Sequence, residues 1–170
     1  MTTFDKLRGW LNGRLPDHWF EGDPALEVDR DEITIIGTLA APTPPDGASD
    51  VENAAAVSGR IKRFREDTRD QRIHIARELE HAYDRKVAWG VEVDGERVMF
   101  TSLAAPVMTR LRQPERKVLD TLVDSGVARS RSDALNWCVR LVAKHADDWL
   151  NELRGAMSHV EEVRDRGPAA

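Results

Sequence analysis

Residues 106–145 read PVMTRLRQPERKVLDTLVDSGVARSRSDALNWCVRLVAKH, and this stretch decides how the rest of the chain is interpreted. It opens on a short alternating run, residues 107–111, which is typical of a strand with two different faces. One face would carry Val107, Thr109 and Leu111. The opposite face would carry Met108, Arg110 and Arg112.

Two helices are predicted to follow this strand. Pro114 suits the first helical position, where no amide donor is required, and Gly126 stands where a left-handed cap would end the first helix. Ser132 is predicted to cap the second helix. That helix has a broad apolar stripe, which two short helices could not cover by themselves. The stripe comprises Leu135, Trp137, Cys138, Val139, Leu141 and Val142.

This order of elements resembles the ribbon-helix-helix superfamily of MetJ/Arc-type DNA-binding proteins. The resemblance covers about a quarter of the chain. It is carried by Thr109-Arg110-Leu111, Leu119, Leu122, Gly126 and the run from Ser130 to Leu135. It implies a homodimer through strand 107–111, in which two copies of the strand form an antiparallel ribbon that enters the major groove of duplex DNA.

Physical chemistry supports such an arrangement independently. A lone short strand leaves its backbone donors and acceptors unpaired, and the same strand of a second chain would pair them. Arg110 could bind a guanine edge through two hydrogen bonds, and the start of the second helix offers free amides to a backbone phosphate. The alternative is a helical hairpin packed on a sheet of the same chain, with Arg110 merely solvated. The DNA-binding candidates are Met108, Arg110, Arg112, Ser130, Arg131 and Ser132.

The charge of the chain is unevenly distributed. The net charge of −5 taken alone argues against a nucleic-acid partner. Residues 1–50 carry four basic and ten acidic side chains, whereas residues 106–146 carry eight basic and four acidic ones, a net +4. The segment assigned to DNA is therefore the most basic block of the chain. An excess of this size predicts salt-sensitive binding of moderate strength.

The predicted fold class is α+β. Residues 1–105 are interpreted as an N-terminal domain of two β-hairpins around a long helix, forming a four-stranded antiparallel sheet. The Asp94-Gly95 turn indicates the second hairpin, and Ser49 and Glu52 at capping-box spacing open the helix, which extends to about Arg85. The sequence patterns of this domain indicate neither its role nor its family.

The two remaining parts are residues 106–146, the ribbon-helix-helix segment for dimerisation and DNA binding, and residues 147–170, a C-terminal helix with a tail that frays at residues 167–170. The helical pattern after Asp133 could be one long helix or a bent pair. No apolar run is long enough to cross a bilayer, and no signal-peptide core begins the chain. These features predict a cytoplasmic protein without a membrane partner.

A second candidate basic face lies on the long helix, where Arg65, Arg69 and Arg72 fall together. One interpretation is a solvated surface with ion pairs to Glu66, Asp67 and Asp70. The other is a face that follows phosphates, as in an RNA-binding module, or that meets an acidic partner.

No active site is indicated by the sequence. Glu78 and His81 have the spacing found in di-iron helices, but a second such motif is lacking. Cys138 lies in an apolar stripe, where an inert thiol is expected. The sequence thus predicts no catalytic residue, no metal ligand and no cofactor.

The predicted function is a dimeric DNA-binding transcriptional regulator that places an antiparallel ribbon in the major groove. The alternative is a non-enzymatic adaptor that uses the same segment only to dimerise. In that case the acidic N-terminal domain would bind a protein partner.

Overall fold

The computed structural model describes residues 3–43, 45 and 47–166, and they form two compact units. Unit 1 ends at Pro106 and unit 2 begins at Val107. The described residues contain six helices and one four-stranded sheet, which confirms the α+β class. None of these helices combines the length and apolar character needed to cross a bilayer. The predicted frayed tail at residues 167–170 lies outside the described residues.

Unit 1 is built around a mixed sheet whose strands lie in the order β1 (Ala25–Val28), β2 (Glu32–Thr38), β3 (Lys86–Val93), β4 (Glu96–Met99). The pairs β1–β2 and β3–β4 are antiparallel, but β2 and β3 are parallel. The prediction of an antiparallel sheet is wrong at this central pair. The helical crossover brings the chain back to the end of the sheet at which β2 begins, so β3 runs in the same direction as β2. The elements of unit 1 are α1 (Thr3–Arg14), β1 (Ala25–Val28), β2 (Glu32–Thr38), α2 (Asp50–Asp67), α3 (Arg69–Tyr83), β3 (Lys86–Val93) and β4 (Glu96–Met99).

The single long helix predicted between the hairpins is also wrong, because it is divided at Thr68 into α2 and α3. The Thr68 hydroxyl donates a hydrogen bond of 2.6 Å to the Phe64 carbonyl, four residues earlier. Such a bond competes with regular helix geometry and often bends a helix. The predicted capping box at the start of α2 is confirmed: the Ser49 hydroxyl accepts from the Glu52 amide, and the Glu52 carboxylate accepts from the Ser49 amide.

The core of unit 1 lies between its helices and the face of the sheet that carries Ile33 and Ile35. Trp19 packs in this core with its ring edge-on to those of Phe64 and Trp89. Since Phe64 belongs to α2 and Trp89 to β3, these contacts hold the end of α2 against the sheet.

The second predicted hairpin is confirmed. Asp94 and Gly95 have φ angles of 51° and 79°, as a tight turn between two antiparallel strands requires. Strands β3 and β4 pair on either side of this turn, from Val93 opposite Glu96 outward.

The described part of unit 2 contains three helices: α4 (Gln113–Asp124), α5 (Arg131–His145) and α6 (Asp147–Arg166). The helical pattern after Asp133 therefore forms two helices rather than one. Gly126 has φ 78°, as predicted for the left-handed cap after α4. Buried apolar side chains are few in this unit: Leu119, Ala128 and Ala134, with Leu111, Leu122, Val123, Leu135 and Cys138 partly buried against them.

The predicted strand at residues 107–111 is not formed, since residues 101–112 have no regular secondary structure. A strand requires a neighbour for its backbone hydrogen bonds. The described part of this chain offers none to the segment: the four strands of the sheet pair only with one another. The ribbon predicted from the sequence would therefore require a second chain.

Candidate nucleic-acid interface

The candidate interface of unit 2 begins with the exposed arm, which we define as residues 107–112. Met108 is 95% exposed, and the side chains of Arg110 and Arg112 are also exposed. The arm is held at its end, because Leu111 packs partly against the core of unit 2 and its carbonyl accepts a 2.8 Å hydrogen bond from Arg116 Nη1. The predicted site residues Met108, Arg110 and Arg112 are thus brought together on one exposed segment.

The start of α5 corrects one prediction: its N-cap is Ser130, not Ser132. Ser130 has extended backbone angles, and its Oγ accepts a hydrogen bond of 3.2 Å from the Asp133 amide. The Asp133 carboxylate accepts in turn from the Arg129 amide at 3.0 Å. Both serines are good caps by type, but only Ser130 stands three residues before an acidic residue, which is the spacing that could have identified it.

We expect Ser130→Ala to lower the stability of unit 2 by about 1 kcal/mol, because the substitution removes a side-chain cap from α5. Ser132→Ala is the matched control, since Ser132 lies within the first turn of the helix, after the cap. Urea unfolding followed by far-ultraviolet circular dichroism would measure both variants. Equal destabilisation of the two variants would show that the Ser130 cap contributes nothing.

Arg131 is engaged within unit 2. Its Nε and Nη2 atoms lie 2.6 and 2.9 Å from the two carboxylate oxygens of Asp120 on α4. The hydrogen bond from Arg131 holds the pKa of the Asp120 carboxyl below its usual range. This two-point contact ties the start of α5 to α4, and the role of Arg131 in binding DNA stays a prediction.

The second candidate basic face lies in unit 1 and surrounds the α2–α3 junction. Arg65 and Arg69 are exposed, whereas Arg72 is only 6% exposed. Among the described residues, none of the three forms an ion pair with the acidic residues at positions 66, 67 and 70. The predicted ion pairs of this surface are therefore wrong. The burial of Arg72 has no signal in the sequence, because it depends on Phe100 from beyond β4.

Unit 2 also exposes much apolar surface on its helices. The sequence predicted this for α5, whose stripe is too wide for two short helices to cover by themselves. Apolar side chains that form a contiguous exposed patch are typical of a protein–protein interface. The exposed large apolar side chains on these helices are Val118, Trp137, Val139, Leu141, Val142, Trp149, Leu153, Met157, Val160 and Val163.

Glu78, which the sequence analysis considered as a metal ligand, forms contacts within the chain. The Glu78 carboxylate binds Arg14 through hydrogen bonds of 2.9 and 3.0 Å and lies 2.9 Å from His74 Nε2. Among the residues that the structure describes, no three metal-ligating side chains cluster. Cys138 is a partly buried free thiol.

Comparison with known proteins identifies two family models along the chain. Residues 5–99 match the Rv1265-like protein, N-terminal domain, and residues 112–164 match the Mb1296 C-terminal domain. The chain is 58% identical to the uncharacterized protein Rv1265 of Mycobacterium tuberculosis over 159 residues, which is 94% of this chain and 69% of the relative. The uncharacterized protein Mb1296 of Mycobacterium bovis has the same identity and coverage. No solved structure matches the chain.

These matches overturn the resemblance to the ribbon-helix-helix superfamily. The family model that covers the helices of unit 2 is that of the Mb1296 C-terminal domain, and no ribbon-helix-helix model matches. Its match begins at residue 112, beyond the residues that were predicted to form the ribbon strand. The resemblance rested on short signals, each of which is common in helical hairpins.

Proposed function

This chain belongs to the Rv1265-like family, and we propose that it is a dimeric DNA-binding transcriptional regulator. The observation that carries the proposal is the exposed arm, which holds Met108 and Arg110 in solvent directly before α4. The proposal rests on the chemistry of these residues and not on the names of relatives. Such a regulator would act in the cytoplasm.

The arm suits pairing with the same arm of a second copy. Its backbone belongs to no strand or helix of the described chain, and a second arm running antiparallel would supply donors and acceptors in register. The six residues of the arm in extended form span roughly 20 Å, so the resulting ribbon would fit along the major groove.

The two faces of an extended arm differ in chemistry. Side chains alternate along a strand, so Met108, Arg110 and Arg112 would share one face. Leu111 would belong to the other face, and its partial burial against the core of unit 2 agrees with that assignment. The face with the two arginines would then point away from the helices and toward a partner.

Arg110 is the residue on this face that best suits base recognition. A guanidinium can donate two hydrogen bonds to guanine, whereas the thioether of Met108 offers only apolar contact. Arg112 is the N-cap residue of α4 and so lies at the end of the arm. From that position it would reach the phosphate backbone more readily than the bases.

Charge and apolar surface support a dimer on DNA. Residues 106–146 carry a net +4 in each copy, so two copies would bring a basic surface to the phosphate backbone. A second copy would also cover part of the apolar surface of α4 and α5, including Val118, Leu141 and Val142. Burial of such side chains is the main source of stability in a homodimer interface.

A protein-interaction adaptor is the second candidate function, and two observations favour it. Residues 1–50 carry a net charge of −6, which suits a basic protein partner. Arg131, one of the basic residues in unit 2, is already engaged by Asp120. In this alternative the arm and the helices of unit 2 would serve only to dimerise.

A mobility shift on random-sequence duplex DNA across a salt series would separate the two functions. For a DNA-binding dimer we expect retarded complexes at about 50 mM salt whose affinity falls steeply toward about 200 mM, because each neutralised phosphate contributes a slope of about −0.9 to the log–log plot. Analytical ultracentrifugation of the same sample reports the dimer. A stable dimer that retards no duplex at the lowest salt would favour the adaptor.

A further inference from the structure

Arg72 occupies an unusual position for a cation. Its side chain is 6% exposed, and it is fixed by hydrogen bonds from Nε to the Thr68 hydroxyl, at 2.9 Å, and from Nη2 to the Arg65 carbonyl, at 2.7 Å. Both acceptors are neutral. A buried charge is costly unless an opposite charge compensates it, and no carboxylate in the described part of the chain forms an ion pair with Arg72.

The guanidinium groups of Arg65 and Arg72 lie over the ring of Phe100. The Arg72 guanidinium carbon lies 4.8 Å from the centre of the Phe100 ring, and that of Arg65 lies 5.7 Å from it. Phe100 is itself buried and positioned by a 2.7 Å hydrogen bond from its amide to the Trp89 carbonyl. Two cations therefore share one aromatic ring, an arrangement that brings like charges together.

The like charges of the three arginines meet at this junction, and the acidic residues of the same segment, Glu66, Asp67 and Asp70, form no ion pair with them within the described residues. Burial, followed by the like charges of Arg65 and Arg69, lowers the pKa of Arg72. Asp70 follows Arg69 on α3, and it lines a cavity together with Arg14. An anion at the junction would relieve the repulsion among the three arginines.

The break between α2 and α3 keeps this arrangement in place. The buried Thr68 hydroxyl donates to the Phe64 carbonyl and accepts from Arg72 Nε, so the residue that divides the helix also anchors the guanidinium. The side chain of Arg72 therefore has little freedom. A cation that is already ordered loses little conformational entropy when it binds an anion.

We infer that the α2–α3 junction of unit 1 is a phosphate-binding site formed by Arg65, Arg69 and Arg72. Arg72 is the fixed part of the site, and Arg65 and Arg69 are its exposed members. The phosphate group comes either from the backbone of nucleic acid or from a free phosphate ion. The first source rests on the proposed function and would give unit 1 a sequence-independent contact with DNA.

The test uses the full-length chain with the double variant R65A/R69A, which removes two exposed side chains and leaves the buried Arg72 in place. Arg77→Ala is the matched control, because Arg77 is an exposed arginine on α3 that lies five residues after Arg72. Both variants are measured in a salt series on duplex DNA and by thermal unfolding in inorganic phosphate at constant ionic strength.

Backbone binding predicts that R65A/R69A lowers the salt slope by about one for each phosphate that the two side chains bind, while R77A keeps the slope of the parent chain. Binding of free phosphate predicts that the Tm of the parent chain rises with phosphate concentration and that R65A/R69A does not show this rise. A parent chain that binds no DNA but is stabilised by phosphate would refute the proposed function and support the site. If R65A/R69A matches the parent chain in both assays, the site is refuted.

Discussion

Thr109→Pro is expected to convert the proposed dimer to a monomer and to abolish DNA binding, with the helices of unit 2 intact. Proline has no amide donor and would remove a hydrogen bond from the centre of the ribbon formed by two arms. The single chain is affected much less, because residues 101–112 have no regular secondary structure. Sedimentation velocity measures the dimer, circular dichroism the helices and a mobility shift the complex with DNA.

Thr109→Ala is the control for this experiment, since alanine keeps the amide donor and the freedom of the backbone. It should sediment as the parent chain does. A T109P variant that remains a folded dimer would exclude the ribbon and would assign dimerisation to the apolar helix faces of unit 2. The comparison thus tests the arm separately from the rest of unit 2.

Arg110→Ala is expected to reduce sequence discrimination by roughly 1–3 kcal/mol at one base pair in each half-site, because it removes a side chain that can donate two hydrogen bonds to guanine. Stability should hardly change, because the Arg110 side chain is exposed and forms no ion pair within the described residues. Binding-site selection followed by competition between the preferred and altered duplexes measures this effect.

Arg65→Ala, on α2 of unit 1, is the control for base recognition. It should weaken binding equally on all duplexes, or leave it unchanged, but it should keep the preferred sequence of the parent chain. If R110A keeps that preference while R65A abolishes it, the bases are read by unit 1. That result would leave the arm with a role in dimerisation alone.

Most local signals in the sequence predicted local structure correctly, although the N-cap of α5 is Ser130 and not Ser132. Gly126 ends its helix segment with a positive φ, and the Asp94-Gly95 turn joins β3 to β4. Ser49 and Glu52 form the capping box that their spacing indicated. Each of these features depends on residues within four positions of one another, so its energy is set by neighbours in the sequence.

Features that depend on distant residues were not predictable in the same way. The parallel alignment of β2 with β3 depends on the path of two helices between them. The Arg14–Glu78 contact joins residues 64 positions apart, and no pattern in the sequence indicates it. The arm illustrates a further limit: its alternation suits a strand, but a strand forms only where a partner strand is present.

The candidate site shows the same difference between features set by neighbouring residues and features set by distant ones. The exposure of Met108, Arg110 and Arg112 agrees with the sequence interpretation, because a polar, alternating segment next to a proline has little reason to be buried. The burial of Arg72 could not be anticipated, since an arginine in a charged helix is ordinarily solvated. Its position depends on Phe100, which is 28 residues further along the chain and reaches it only through the fold of the sheet.

The outer strands of the sheet in unit 1 have a consequence for aggregation. Strands β1 and β4 form its two edges, and each is only four residues long. Short edges that carry charged side chains such as Glu27 and Arg97 give a foreign strand little backbone to pair with. Such edges disfavour extension of the sheet by a foreign strand, so in the proposed dimer strand pairing would be confined to the arm.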